Sequence, residues 1–125
     1  FRDMQNPPAH NDPDRYQGTY WYNWPDGMTE EEKAEANSIF VHTNSGVGNK
    51  LVYLLTAGDT FNGKTVSGMG QAVVRNLYWE TVQLMPVSPN YHDLHDLLLD
   101  AAGNLGMTST QIANIQTACE AVEID

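Results

Sequence analysis

Three places in this sequence put reactive or ligand-binding side chains at spacings that could do chemistry. Gly58-Asp59-Thr60-Phe61-Asn62-Gly63-Lys64-Thr65 satisfies the GxxxxGK[ST] pattern of a phosphate-binding loop letter for letter. Such a loop works where a buried strand feeds it and a helix starts at the Lys, because only then do backbone N–H groups and the helix dipole converge on the phosphates. Neither setting is expected here. Leu51 to Leu55 belongs to a helical stripe, Val66-Ser67-Gly68 postpones the next helix, and Asp59 would put a negative charge in the anion cradle. Leu97-Leu98-Leu99-Asp100 could pass for a hydrophobic run ending in a magnesium-binding acid, but it fits the helical stripe of its own segment better than a strand. A P-loop nucleotide-binding module is therefore an alternative reading, with the match taken as accidental.

The second place is His92 and His95, accompanied by Asp93 and Asp96, which could set two imidazoles on one helix face at i, i+3. A metal site needs a third placed ligand; without one the group reads as a solvated face, and no metal is assigned within the chain. Cys119 is the single cysteine, so no internal disulfide and no cysteine-based zinc knuckle can form, and it reads as a small buried hydrophobe. The third place is His42, inside Val41-His42-Thr43-Asn44-Ser45-Gly46-Val47-Gly48-Asn49-Lys50. Taken alone it is a surface or capped imidazole. Its neighbours decide its meaning.

The elements that must position these residues are helical. Residues 1 to 28 hold four of the six prolines and, between Tyr16 and Trp24, five aromatics, so an ordered loop region is expected. Thr29 as N-cap, acids in the first turn and Glu32 at the capping-box position predict a short surface helix through about Asn37. Val47, Leu51, Leu54 and Leu55 recur at i, i+4, i+7 and i+8 and predict a largely buried helix over 44–57. The glycines of 58–70 read as loop. Val73, Val74, Leu77, Tyr78, Val82 and Leu84 form another helical stripe, stopped by Pro86 and Pro89. Leu94, Leu97, Leu98, Ala101, Ala102 and Leu105 form the next, closed by Gly106. Thr108 or Ser109 caps the last helix, with Ile112, Ile115, Ala118, Cys119 and Val122 on its inner side. No hairpin or alternating strand stands out. The expected fold is all-α: one domain over 1–125, with an irregular segment over 1–41 and a compact helix bundle over 42–125.

Composition narrows the function classes. A chain of 125 residues is long enough for one core, and 41% hydrophobic with 18% charged residues is ordinary for a soluble protein. No stretch approaches the roughly 18 apolar residues of a membrane span. Six basic against sixteen acidic residues leave a formal charge of −10, which argues against a nucleic-acid partner, since phosphate-backbone affinity comes from Lys and Arg displacing counterions. The start, Phe1-Arg2-Asp3-Met4, has neither a charged n-region nor an apolar h-region, so no signal peptide is expected within the chain.

The segment from Val41 to Lys50 resembles the V-H-x-N-S-G-x-x-N-K signature of the thermolysin-like neutral metallopeptidases. The resemblance extends upstream to Phe1-Arg2-Asp3-Met4 and Asp12-Pro13-Asp14-Arg15-Tyr16. Downstream it runs through Gly68-Met69-Gly70, Ser88-Pro89-Asn90-Tyr91 and Ala121-Val122-Glu123-Ile124. It implies that the chain is the C-terminal helical half of a secreted zinc metalloendopeptidase. In that family the histidine matching His42 hydrogen-bonds the oxyanion formed when metal-bound water attacks the peptide carbonyl, which stabilises charge present only in the transition state. The arginine matching Arg2 binds the substrate carbonyl just beyond the scissile bond, a task suited to a permanently charged group with two parallel donors. Phe1 would then lie near the wall of the hydrophobic specificity pocket. Asn44, with Ser45 and Gly46, would form the turn and helix start that holds the His42 backbone.

The chain departs from the pattern in two ways. The acid that normally lies five residues before the histidine and orients its ring is replaced by Asn37, which can accept a hydrogen bond but cannot favour the imidazolium. The usual Gly-Gly before V-H is replaced by Ile39-Phe40, and Glu35 becomes a candidate for the missing acid. No HExxH occurs, so the resemblance places the zinc ligands and general base upstream, in an N-terminal zinc-binding half. It leaves calcium open as a second metal and implies that the isolated chain does not hydrolyse peptides. The partners implied are that N-terminal half and a peptide or protein substrate. The remaining alternative is a non-catalytic helical binding domain using the aromatic cluster of residues 16–24 as its interface.

Overall fold

Thr29 opens the longest helix as its residue type demands. Its hydroxyl accepts from the Glu32 backbone N–H at 3.1 Å while the Glu32 carboxylate accepts from the Thr29 N–H at 2.9 Å, the reciprocal capping box expected from the sequence. Glu30, Glu31 and Glu32 in the first turn favour the same end through the helix dipole. The computed structural model describes residues 2–125, apart from the side chains of Ser38 and Ile39. In it the helix does not end near Asn37. It runs without a break as α1 (Glu30–Ala57), so the expected irregular segment stops at residue 29 and the expected second start at Asn44 does not exist. Ile39 and Phe40 are both better helix formers than glycine, which favours continuing the helix through this point. Ser45 sits inside the helix by donating its hydroxyl to the His42 carbonyl one turn back, at 2.7 Å.

The chain forms two compact units, Phe1–Lys50 and Leu51–Asp125, with the division falling inside α1. In the first, a short 3-10 turn (Pro7–His10) ends at Asn11 in the left-handed conformation, φ 59°. The aromatic segment that follows is ordered by ring contacts. Tyr16 and Trp21 meet edge to face at 4.8 Å, and Tyr22 and Trp24 both pack on Phe40 of α1, with ring centres 4.2 and 3.7 Å away. Phe40 and Val47 of α1 are buried, as are Pro7 and Pro13.

In the second unit Ala57 leads into β1 (Gly58–Phe61), which turns at Asn62-Gly63 into β2 (Lys64–Ser67); the strands are antiparallel, with Phe61 opposite Lys64. A loop was expected here. Asn62 and Gly63 both take positive φ, 51° and 74°, the tight turn whose twist matches paired strands. Three helices follow: α2 (Gln71–Leu84), α3 (Tyr91–Asn104) and α4 (Ser109–Ala121). Reciprocal boxes cap the last two, Asn90 with Asp93 and Thr108 with Gln111. Their apolar stripes close one core, in which Leu51, Leu54, Leu55, Leu77, Leu98, Ile115, Val122 and Ile124 have no exposed surface. The fold is helical, as expected, with one small hairpin added.

Candidate active site

The signature segment lies on α1, and its spacing is that of a helix face. His42, Gly46 and Lys50 recur at i, i+4 and i+8, one stripe of a helix with 3.6 residues per turn. Three contacts hold residues 2–13 along that stripe. At the first, Arg2 Nη1 donates to the His42 carbonyl at 3.1 Å and to Ser45 Oγ at 2.7 Å, and Nη2 lies 3.4 Å from His42 Nδ1. At the second, Gly46 faces the Asp12–Pro13 backbone: a Cβ there would sit 2.9 Å from the Asp12 Cβ and closer still to the Pro13 carbonyl oxygen. At the third, the ammonium of the buried Lys50 donates to the Gln5 carbonyl at 2.6 Å. A side chain at position 46 would push the segment away, so a glycine is needed for the approach.

This arrangement leaves an open cleft of about 430 Å³ lined by Arg2, His10, Asp12, His42 and Thr43. Arg2 and His42, forty positions apart, share its wall. His10 was not singled out from the sequence, and Asp12 only as the start of the resembling segment Asp12–Tyr16, with no site role; the path of residues 2–13 over α1 brings both to His42. Phe1, expected near a specificity pocket, lies outside the described residues.

Three expectations about the surroundings of His42 are corrected. Asn37 is five residues earlier on the same helix, about 140° round the axis, so it faces away from the ring it was expected to orient. Glu35 returns to the same stripe but about 10 Å along the axis, beyond hydrogen-bond reach of His42. Asn44 is not a cap. Its carboxamide accepts from the Tyr22 N–H at 2.9 Å and donates to the Tyr22 carbonyl at 3.0 Å, fastening the aromatic segment to α1.

The other two groupings take structural roles in the second unit. In the GxxxxGKT segment, Lys64 opens a strand rather than a helix, and the next helix starts only at Gln71. Lys64 Nζ is 2.9 Å from a Glu120 carboxylate oxygen, and Asp59 accepts from the Tyr53 hydroxyl at 2.9 Å, which raises the tyrosine's pKa. No phosphate cradle forms. His92 Nδ1 lies 3.0 Å from the Ile124 carbonyl, while His95 meets Asp96 at 2.8 Å and Gln116 at 2.7 Å, so the two rings are tied to different partners. Among the described residues no three His, Cys, Asp or Glu side chains gather to hold a metal ion. Cys119 is fully buried, and burial pushes its thiol up to about 12. No described helix is long and apolar enough to cross a membrane.

The model of the thermolysin metallopeptidase α-helical domain matches residues 1–124, across both units. Relatives include a zinc metalloproteinase of Renibacterium salmoninarum, 35% identical over 123 residues that cover 91% of this chain and 22% of that protein. The bacillolysin of Brevibacillus brevis is 32% identical over 126 residues, covering 99% and 22%. The thermolysin of Alicyclobacillus acidocaldarius subsp. acidocaldarius is 31% identical over 127 residues, covering 99% and 21%. The chain belongs to the thermolysin metallopeptidase family, as its α-helical domain. It spans about a fifth of the length of the curated relatives it matches.

Proposed function

We propose that this chain supplies the transition-state donor and the substrate grip of a secreted zinc metalloendopeptidase acting on peptide bonds. The observation that carries the reading is the shared cleft, where an imidazole and a guanidinium from distant positions meet beside open space. His42 donates a hydrogen bond to the oxyanion that forms on the attacked carbonyl. Arg2 holds the substrate carbonyl beyond the scissile bond, with Phe1 beside it near the specificity pocket. Asn44 keeps the aromatic segment fastened to α1. The described residues do not fit a zinc site, so the metal ligands and general base are assigned to the rest of the protein. The isolated chain is then inactive, and its partners are the N-terminal half and the peptide. Tyr20, Tyr22 and Trp24 keep 46%, 39% and 39% of their surface exposed and offer that half an apolar face.

The test is His42→Ala in the full-length enzyme. Deleting one oxyanion donor should lower kcat by roughly a hundred-fold while KM barely changes. Unaltered kcat, with zinc content and fold intact, would remove His42 from the chemistry.

A further inference from the structure

The contact between Arg2 and the His42 ring specifies where the ring carries its proton. A guanidinium has five N–H donors and no acceptor, so at the 3.4 Å approach of Nη2 the imidazole Nδ1 must be the accepting nitrogen. The proton of a neutral ring is then on Nε2, the nitrogen remote from that contact. The guanidinium does not depend on the ring for its own position. Its Nη1 is held by the His42 carbonyl at 3.1 Å and by Ser45 Oγ at 2.7 Å, and the Ser45 hydroxyl itself donates to that carbonyl at 2.7 Å. Arg2, Ser45 and the His42 backbone thus form a closed set of bonds on one turn of α1, and the ring leans on it.

We propose that Arg2 is the positioning residue of His42, fixing the imidazole as the Nε2–H tautomer. It takes the place of the orienting acid that Asn37 cannot supply from its own face of the helix. The two devices differ in chemistry. A carboxylate at Nδ1 accepts a hydrogen bond from Nδ1–H, which keeps the proton on that nitrogen, so Nε2 donates only from the imidazolium, whereas Arg2 at Nδ1 lets a neutral ring donate from Nε2. The use of that donor rests on the transition-state reading above; the tautomer does not. A guanidinium so placed is still suited to a substrate carbonyl, since its donors point in several directions.

The tautomer is read directly by long-range ¹⁵N–¹H correlation on the full-length protein labelled in histidine, with the His42 signals assigned by their loss in His42→Ala. Wild type should show the Nε2–H pattern. Arg2→Lys keeps a donor and should preserve it, whereas Arg2→Glu puts an acceptor at Nδ1 and should draw the proton there. In the same variants Arg2→Glu should lower kcat by roughly ten- to a hundred-fold, the usual cost of losing the group that orients an active side chain, and Arg2→Lys should recover most of it. An Nδ1–H ring in wild type, or a pattern that Arg2→Glu leaves unchanged, overturns the proposal. Normal kcat in His42→Ala would sink the transition-state reading instead, and the tautomer result would stand apart from it.

Discussion

Asn44 and the backbone of Tyr22 bond each other in both directions, the carboxamide oxygen accepting at 2.9 Å and its nitrogen donating at 3.0 Å. The pair imitates one rung of an antiparallel ladder between a side chain and a strand-like segment. The second unit uses the same device: Asn114 Oδ1 accepts from the Ser67 N–H and Asn114 Nδ2 donates to the Ser67 carbonyl, both at 2.8 Å.

Asn44→Ala should therefore destabilise the first unit by about 1–2 kcal/mol, the net worth of two partly solvated hydrogen bonds. Asn44→Asp keeps the acceptor and loses the donor, so it should fall between wild type and Ala. Hydrogen exchange of the Tyr22 amide is the specific readout, because that N–H is bonded to the side chain being altered. Undiminished protection in Asn44→Ala would show that the ring contacts with Phe40 hold the segment by themselves.

The reading of Asn44 as a cap shows where local sequence logic stopped. Asn, Ser and Gly are helix-start residues by propensity, and only a tertiary demand places them inside α1: a backbone to clamp, a carbonyl to back-bond and a segment to approach. The stripe of His42, Gly46 and Lys50 was not read from the sequence, where the helix was expected to start at Asn44, and what lies on it was hidden too, because residues 2–13 have no periodicity to betray their path. Helices α2, α3 and α4 were legible because each has an apolar stripe, and the latter two also have a capping box. The hairpin was hidden by its own shortness. Each strand has four residues, of which only Val66 is buried, so no alternation announced it, and Asn62-Gly63 was the one signal present.

Lys64 and Glu120 tie that hairpin to α4, and their pairing makes stability depend on pH in a defined direction. The bond from Lys64 holds the Glu120 carboxyl below its ordinary value of 4.5, and Glu120 in turn raises the Lys64 ammonium above 10.5. A depressed carboxyl contributes stability that is present above its ordinary value and is lost as pH falls through the folded one. A raised ammonium contributes stability that is present below its ordinary value and is lost as pH rises through the folded one. Between those limits Lys64→Met should melt below wild type, and the gap should close on acidification below 4.5 and again on going above 10.5. Melting curves across pH check it. High salt should shrink the gap, because the pair is exposed. A gap that ignores pH would assign the effect to packing of the lysine stem.

Tyr78 carries the one buried side-chain polar atom without a hydrogen-bond partner among the described residues, its phenol oxygen. Burial raises its pKa well above the ordinary 10.0, with smaller contributions from Cys119 and Tyr91 nearby. Such a hydroxyl gives up its bonds to water on folding and regains none, which costs about 1–3 kcal/mol before the packing of the ring is counted. Tyr78→Phe keeps the ring and deletes only the oxygen, so the variant should be more stable than wild type, by about 1 kcal/mol at neutral pH. The pH dependence gives a second, independent handle. The native state holds the phenol protonated, so its contribution is fully present below 10.0 and is lost as pH rises toward the folded value, because only the unfolded chain releases that proton. The advantage of Tyr78→Phe should accordingly widen above 10.0, in the range where wild type begins to lose stability. Chemical denaturation at neutral and alkaline pH measures both effects. A loss of stability in Tyr78→Phe at neutral pH would mean that the hydroxyl is satisfied in solution, by an internal water or a partner brought in from the rest of the protein.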